Sequence, residues 1–356
     1  MHKFVHIIIL IWSFQSLFAQ DPVLTQFYAV PVLMNPAFAG SEGNFRLGLG
    51  YRDQATKSNY KLKTVYAFGD SWVESINSGI GLSILNQKEE LTNYNFIQIN
   101  LHYSYHLKLS ENWTFFPGIA FGIGYKDFRF GGLLFEDQID LAGGNDPVTS
   151  DPIYDHIAEN VFFMDLAVGG ILYAENAWFG FSLKHLTTPD ISFVENEILP
   201  LAMHMSLHGG YQISLSNRGR NSFFPEDSNL FLTFNYMKQD IYNRIDFGAE
   251  MEISKFSFGF LSSSVIQKID SNAEFLLSLS PVIGLETNNF KLGFSYDFPI
   301  SNFSTIGGTS EIALQYFINN NYTRRSRWQR KHRSLINESG GDSYRFVNNH
   351  PLTKTS

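Results

Sequence analysis

Residues 96–107 read FIQINLHYSYHL. In an extended chain Ile97, Ile99, Leu101, Tyr103, Tyr105 and Leu107 share one face, and Gln98, Asn100, His102, Ser104 and His106 share the other. Alternation this strict excludes an amphipathic helix, whose apolar positions recur every three or four residues. The split returns in residues 44–52, NFRLGLGYR, where Phe45, Leu47, Leu49 and Tyr51 stand against Asn44, Arg46, Gly48, Gly50 and Arg52. It recurs in AMHMSLHGGYQIS (202–214), NRIDFGAEMEI (243–253) and KLGFSYDF (291–298). One face is apolar and aromatic. The other is polar, small or charged.

A soluble sandwich alternates too, with its apolar face turned inward. Three features favour a transmembrane barrel here. The segments run about 9 to 14 residues, the length that crosses a bilayer at a tilt. Aromatics gather toward segment ends, as interface girdles do. The polar face carries full charges repeatedly, which a lumen tolerates. Composition agrees: of 356 residues 44% are apolar, 16% aromatic and only 17% charged, with 28 Gly for turns. A disordered chain is excluded.

Fourteen strands are expected, starting near Asn44, Lys61, Ser78, Asn93, Trp113, Asn160, Asn176, Ala202, Asn229, Asn243, Lys255, Ala273, Phe290 and Ser310. Connections after even strands are mostly tiny (LSEN, AEN, ISK, ETNN), and those after odd strands are mostly longer. The longest runs from Lys126 to about Glu159, and another from His185 to Leu201. Short turns at one end and long loops at the other are the outer-membrane pattern, and an even count places both termini in the periplasm. Two connections depart from it: the short turn after the ninth strand and the long SNRGRNSFFPEDS after the eighth. Pro117 and Pro281 fall inside strands, where each removes a ladder donor, so a bulge or kink is expected at each.

The chain opens with MHKFVHIIILIWSFQSLFAQ. Lys3 supplies a positive n-region, Phe4–Trp12 an apolar core, and Leu17 and Ala19 the −3 and −1 positions of a cleavage site. The run is too short for a transmembrane anchor. The chain has no Cys, which removes lipoprotein and disulfide chemistry and suits an exported envelope protein. No later segment reaches ~18 consecutive apolar residues, so only a closed barrel could cross a membrane.

Several ordered segments carry a family resemblance. They are QDPVLTQFYAVPVLMNPAFAG (20–40), with Gln26, Asn35, Pro36, Ala37 and Gly40, then RLGLGYRDQ (46–54), FSLKHLTTPDISF (181–193) with His185, Leu186 and Pro189, LPLAMHMSLHGGYQI (199–213), and LGFSYDFPISNFSTIGGTSEIALQY (292–316). In this order they resemble the PorP/SprF family of outer-membrane proteins of the Bacteroidetes type IX secretion system. The resemblance covers residues 20–318. It implies a membrane component that helps export or hold a large adhesin-like surface protein through contact with other secretion components, and it implies no enzyme.

The expected domains are a signal peptide at 1–19, a periplasmic plug-like segment at 20–43, an outer-membrane barrel at 44–319 and a basic periplasmic tail at 320–356. The segment 20–43 has no sheet of its own, yet Phe27, Tyr28, Val30, Leu33, Met34 and Phe38 need burial. A fourteen-stranded bore lies between side-chain-filled and channel-forming sizes. The segment is therefore expected to fold into the periplasmic mouth, either sealing it or packing beneath it. Pro36 would end a helical turn there, and Gly40 would permit the positive φ of entry into the wall. The tail holds Arg324, Arg325, Arg327, Arg330, Lys331 and Arg333. Its net charge is +6 against −14 for the remainder. It reads as a solvated extension or as a docking strip for an acidic partner. Nucleic acid is not expected as a partner in the periplasm.

His102 with His106, and His204 with His208, invite a metal reading. Residues i and i+4 on a strand lie ~13 Å apart, so neither pair can share a zinc ion. Lumen-facing hydrogen bonding is the better reading. The acidic loop with Asp137, Asp140, Asp146, Asp151 and Asp155 matches no EF-hand spacing. As the longest loop it is the expected partner contact. No G-x-S-x-G, H-E-x-x-H, P-loop or dinucleotide motif is present, although a hydrolytic triad is defined by geometry and needs no such motif. No cofactor is expected. The readings carried forward are a docking protein whose partners are a secreted adhesin-like protein, secretion components and outer-membrane lipid; a plugged channel for a small apolar solute; and a soluble or surface-attached β protein.

Overall fold

The computed structural model describes residues 21–54, 57, 61–128, 139–140, 144–145, 156–215, 224–225, 228–266, 276–300 and 307–318. Residues 1–19, where a signal peptide is expected, the tail 320–356, and Asp137, Asp146, Asp151 and Asp155 lie outside them.

Fourteen antiparallel strands close on themselves. They are β1 (Phe45–Gln54), β2 (Leu62–Val73), β3 (Ser78–Glu89), β4 (Asn95–Tyr105), β5 (Thr114–Asp127), β6 (Asn160–Tyr173), β7 (Ala177–Lys184), β8 (His204–Ser214), β9 (Asn229–Gln239), β10 (Tyr242–Ile253), β11 (Phe256–Ser264), β12 (Leu276–Glu286), β13 (Phe290–Pro299) and β14 (Thr309–Ile318). Each pairs with its sequence neighbours, and β1 pairs with β14 from Phe45↔Ile318 to Asp53↔Ser310. The wall has no free edge. Two small pieces lie outside it: Leu107–Lys108 continues the β4 register along β5, and Ile139–Asp140 pairs with Gly144–Asn145 within the longest loop.

The alternation read in the sequence is inside-out. On β4 Ile99, Leu101, Tyr103 and Tyr105 are exposed, whereas His102 and Ser104 are buried. On β1 Phe45, Leu47, Leu49 and Tyr51 are exposed, and Arg46 and Arg52 are buried. An apolar belt facing out and charges facing in are stable only where lipid surrounds the wall.

Neither proline shifts the register. Pro117 pairs with Gly170 in an unbroken β5–β6 ladder, while pairing toward β4 lapses between Ser104↔Gly118 and Leu107↔Phe115. Pro281 pairs with Phe260, and pairing toward β13 lapses between Leu279↔Phe298 and Val282↔Ser295. A strand residue's N–H points to one neighbour only, so the missing donor interrupts one ladder and leaves the other intact. The register does shift at Ser263/Ser264, between β11 and β12.

At the short-turn end β10 and β11 are joined by Ser254 in the left-handed region. At the long-loop end, the extracellular end of an outer-membrane barrel, residues 185–203 fold into an ordered cap. Asp190 bridges to Pro200, Ile157 bridges to Val194, and Ala158 N–H donates to the Phe193 carbonyl at 2.7 Å. Ile191 and Leu201 of this cap are buried with Leu85, Phe96 and Phe163.

Candidate functional site: the occupied lumen

The inward face of the barrel is not empty. Residues 21–43 run inside it as a chain of tight turns: a 3-10 turn at Phe27–Ala29, one α-turn at Pro31–Met34 and a 3-10 turn at Pro36–Phe38. Pro31 and Pro36 each stand at a first helical position, where their missing N–H is no loss. Asn35 separates the last two turns and caps the second, its Oδ1 accepting from Ala37 N–H at 2.9 Å. The apolar residues Phe27, Val30, Val32, Ala37 and Phe38 form one buried cluster with the wall residues Phe68, Phe116, Ile171 and Tyr173.

The outer end of the segment is held by charge. Thr25 and Gln26 donate their backbone N–H groups to the two oxygens of Glu311, each at 2.9 Å. The Thr25 hydroxyl donates to Asp297 at 2.7 Å and accepts from Arg52 Nη1 at 2.7 Å. Arg52 also reaches Glu311 at 2.9 Å and Asp297 at 3.0 Å. Four residues earlier, Asp21 meets the ring of His185 at 2.7 Å, and Asp165 holds the other ring nitrogen at 2.7 Å. Burial disfavours the Asp21 carboxylate, but the charges of His185 and Lys184 outweigh it and hold Asp21 well below the usual carboxylate range. Burial likewise opposes the imidazolium of His185, yet Asp21 and Asp165 prevail and raise it to about 9.

In mid-lumen Asn35 Nδ2 donates to the carbonyls of Phe181 at 2.9 Å and Gly170 at 3.2 Å, and lies 3.0 Å from His208 Nε2. At the short-turn end Ala39 lies so close to β3 that a Cβ on Gly79 would come within 1.9 Å of its carbonyl oxygen. Gly40 then turns the chain at φ +66°, its N–H donating to Asp70 at 2.8 Å.

The five motif residues therefore converge. Gln26, Asn35 and Ala37 are buried, as are Pro36 and Gly40, and all lie on this one inner segment. Gln26 ties to β13 and β14 through Ser295 Oγ and the Glu311 carbonyl, each at 3.1 Å. The segment differs from its expected place in one respect. It does not stay at the periplasmic mouth. It spans the lumen from Asp21, beside the extracellular cap, to Gly40 at the short-turn end. The charged groups that draw it outward (Arg52, Asp297, Glu311, Asp165 and His185) sit near the long-loop ends of their strands.

The four histidines face the lumen separately. His102 lies 2.8 Å from Ser83, His208 binds Asn35 and lies 3.1 Å from Ser206, and His106 is stacked between Trp72 and Phe116. Among the described residues no group of three His, Asp or Glu is placed to hold a metal ion. Two cavities flank the segment. One of about 190 Å³ lies against β9–β14, and one of about 80 Å³ lies against β3–β9. Of the acidic loop only Asp140 is described, on its two-residue strand.

No curated protein matches this chain. Solved structures similar to it are outer-membrane barrels. The CymD monoaromatic hydrocarbon channel is 12% identical with a TM-score of 0.48, over 83% of this chain and 94% of that one. A Pseudomonas aeruginosa FadL homologue is 10% identical with a TM-score of 0.44, over 86% and 96%. The Acinetobacter baumannii outer membrane protein Omp33 is 8% identical with a TM-score of 0.41, over 78% and 100%. The profile described as type IX secretion system membrane protein PorP/SprF matches residues 16–316, which takes in the whole inner segment and all fourteen strands but for the last two residues of β14. The chain belongs to the PorP/SprF family of type IX secretion system membrane proteins.

Proposed function

We propose that this protein is a non-enzymatic docking component of type IX secretion in the outer membrane, exported by a signal peptide cleaved after Ala19. Its extracellular loops hold an exported adhesin-like protein, and its periplasmic face contacts the secretion machinery. The observation that carries this reading is the filled lumen: residues 21–43 are tied to the wall at both ends and in the middle. A barrel whose bore is occupied by its own chain acts through its surfaces. The ordered cap at 185–203 offers an outer surface, and Asp137, Asp140, Asp146, Asp151 and Asp155 of the acidic loop are the contact candidates. Affinity purification from detergent-solubilised outer membrane, with mass spectrometry, tests it. A very large surface protein or periplasmic secretion components should co-purify. A monomeric barrel that comes out alone in mild detergent overturns the proposal.

The apolar wall of the larger cavity, with Phe38, Trp178, Leu261 and Val282, favours a second reading as a channel for a small apolar solute. Uptake of toluene by proteoliposomes faster than by empty vesicles would support it.

A further inference from the structure

The two lumen cavities meet at one residue: among the described residues only Met34 lines both. The larger, of about 190 Å³, reaches the short-turn rim at Ser257 and the partly exposed Glu286–Lys291 pair. The smaller, of about 80 Å³, extends toward the long-loop end, where Asp21, Lys184 and His204 line it and the Lys184 side chain keeps 24% exposure.

The smaller cavity has two unlike walls. The inner segment gives it Val23, Phe27 and Val30, whereas β4, β8 and β9 give it Gln98, Asn100, His102, Ser206 and Asn235. Three of its polar atoms, His102 Nδ1, His204 Nδ1 and Asn235 Oδ1, have no hydrogen-bond partner among the described residues, although the residues are only 3%, 7% and 2% exposed. Buried polar atoms demand partners. The cavity has room for several waters, each of which needs at least ~10–15 Å³ and two to four polar neighbours. Its polar side therefore takes water or a small ion. An apolar solute would strip those groups of partners at a cost of about 1–3 kcal/mol each.

The junction is built so that a side chain can move while the backbone stays. Ser182 Oγ donates to the Met34 carbonyl at 2.8 Å, and the next residue, Asn35, donates its N–H to the Pro31 carbonyl at 2.9 Å and its side chain to two wall carbonyls. The Met34 side chain itself is buried, unbranched and held by packing alone. Such a side chain changes rotamer readily, and the larger cavity beside it can receive the thioether.

We infer that the two cavities are halves of one passage for water and small ions, and that the Met34 side chain is its gate. With the thioether in the junction the lumen is closed. With it turned into the larger cavity the polar outer half joins the half that opens at the short-turn rim, and residues 21–43 need not leave the wall. The inference rests on neither reading of the proposed function: a silent gate variant leaves docking untouched, and a barrel purified without partners leaves the gate untouched.

Planar-bilayer recording of the full chain tests it. Met34→Ala and Met34→Cys should show discrete openings where the unaltered protein is silent. Val32→Ala, an equally buried residue of the same turn that lines only the smaller cavity, should stay silent. The chain has no other thiol, so benzyl methanethiosulfonate should abolish the Met34→Cys openings and dithiothreitol should restore them. Met34→Cys, the smaller change, carries the test where Met34→Ala does not refold to the heat-modifiable form. Folded Met34 variants that never conduct overturn the inference. So do openings that the reagent leaves unchanged, or equal openings in Val32→Ala, since either would place the leak in a loosened segment and not at Met34.

Discussion

Arg46 and Asp70 form a two-point ion pair across β1 and β2, Nε to Oδ1 at 2.8 Å and Nη2 to Oδ2 at 3.0 Å, and both side chains are shut away from solvent. The same Asp70 oxygen accepts the N–H of Gly40, so one carboxylate fixes both the wall and the point where the inner segment enters it. Glu42 adds a longer contact to Arg46 at 3.4 Å. Removing Asp70 strands a buried guanidinium. Asp70→Ala should therefore destabilise the barrel by about 3–5 kcal/mol, the usual loss for breaking a buried pair from one side. A lowered urea midpoint of the detergent-refolded protein, read by its heat-modifiable gel mobility, checks it. Arg46→Met with Asp70→Leu should cost less than Asp70→Ala alone.

Gly79 and Ala39 touch without room for a methyl group between them. A Cβ on Gly79 would also meet Ser104 Oγ, which donates to the Ala39 carbonyl at 2.6 Å. Backbone cannot yield as a flexible side chain can. Gly79→Val should push residues 37–40 off the wall while the strand, for which valine is well suited, stays paired. Trypsin resistance of the barrel with new cleavage inside residues 21–43 is the expected pattern.

The barrel was legible because its signal is local. Alternation in residues 96–107 names the faces, and lengths and loop parity count the strands. Observed strand starts fall within three residues of those expected, for example Asn95 for Asn93 and Leu276 for Ala273. The course of the inner segment was not legible, because nothing near Thr25 in the sequence records Glu311, 286 residues away. Arg46, Arg52, Asp297 and Glu311 could be read as inward charges from strand parity. Which of them pair depends on strand stagger and on a segment with no periodicity. The family motif did point to the right stretch, and it included His185, but burial of Asn35 against Gly170 and Phe181 is a matter of fold alone.

Deleting residues 21–40 should open the bore. The segment supplies most of the apolar filling between the walls, and a fourteen-stranded barrel without filling is wide enough for water and ions. Planar-bilayer recording should show no steady conductance for the intact chain and discrete openings for the deletion. If the deleted barrel is folded and still silent, the segment does not seal it.

His185 and Asp21 should make the outer end of the segment sensitive to pH in a predictable direction. His185 is held up at about 9, so its contribution is complete below the ordinary imidazole value of 6.5 and is lost as pH rises through about 9. Asp21 is held down, so its contribution is present above the ordinary carboxylate value of 3.8 and is lost as pH falls below it. The contact is therefore strongest from about pH 4 to about pH 6.5 and weakens from there to about pH 9. Val23→Cys, two residues from Asp21, reports release through its reaction with a methanethiosulfonate reagent, scaled to a free thiol at each pH. Labelling should be slow at pH 7 and rise above pH 9. In His185→Gln, whose amide can neither charge nor reach both carboxylates, labelling should already be fast at pH 7 and stay level across the alkaline range. A level profile in the unaltered protein would mean that Arg52, Asp297 and Glu311 hold the outer end without help from His185.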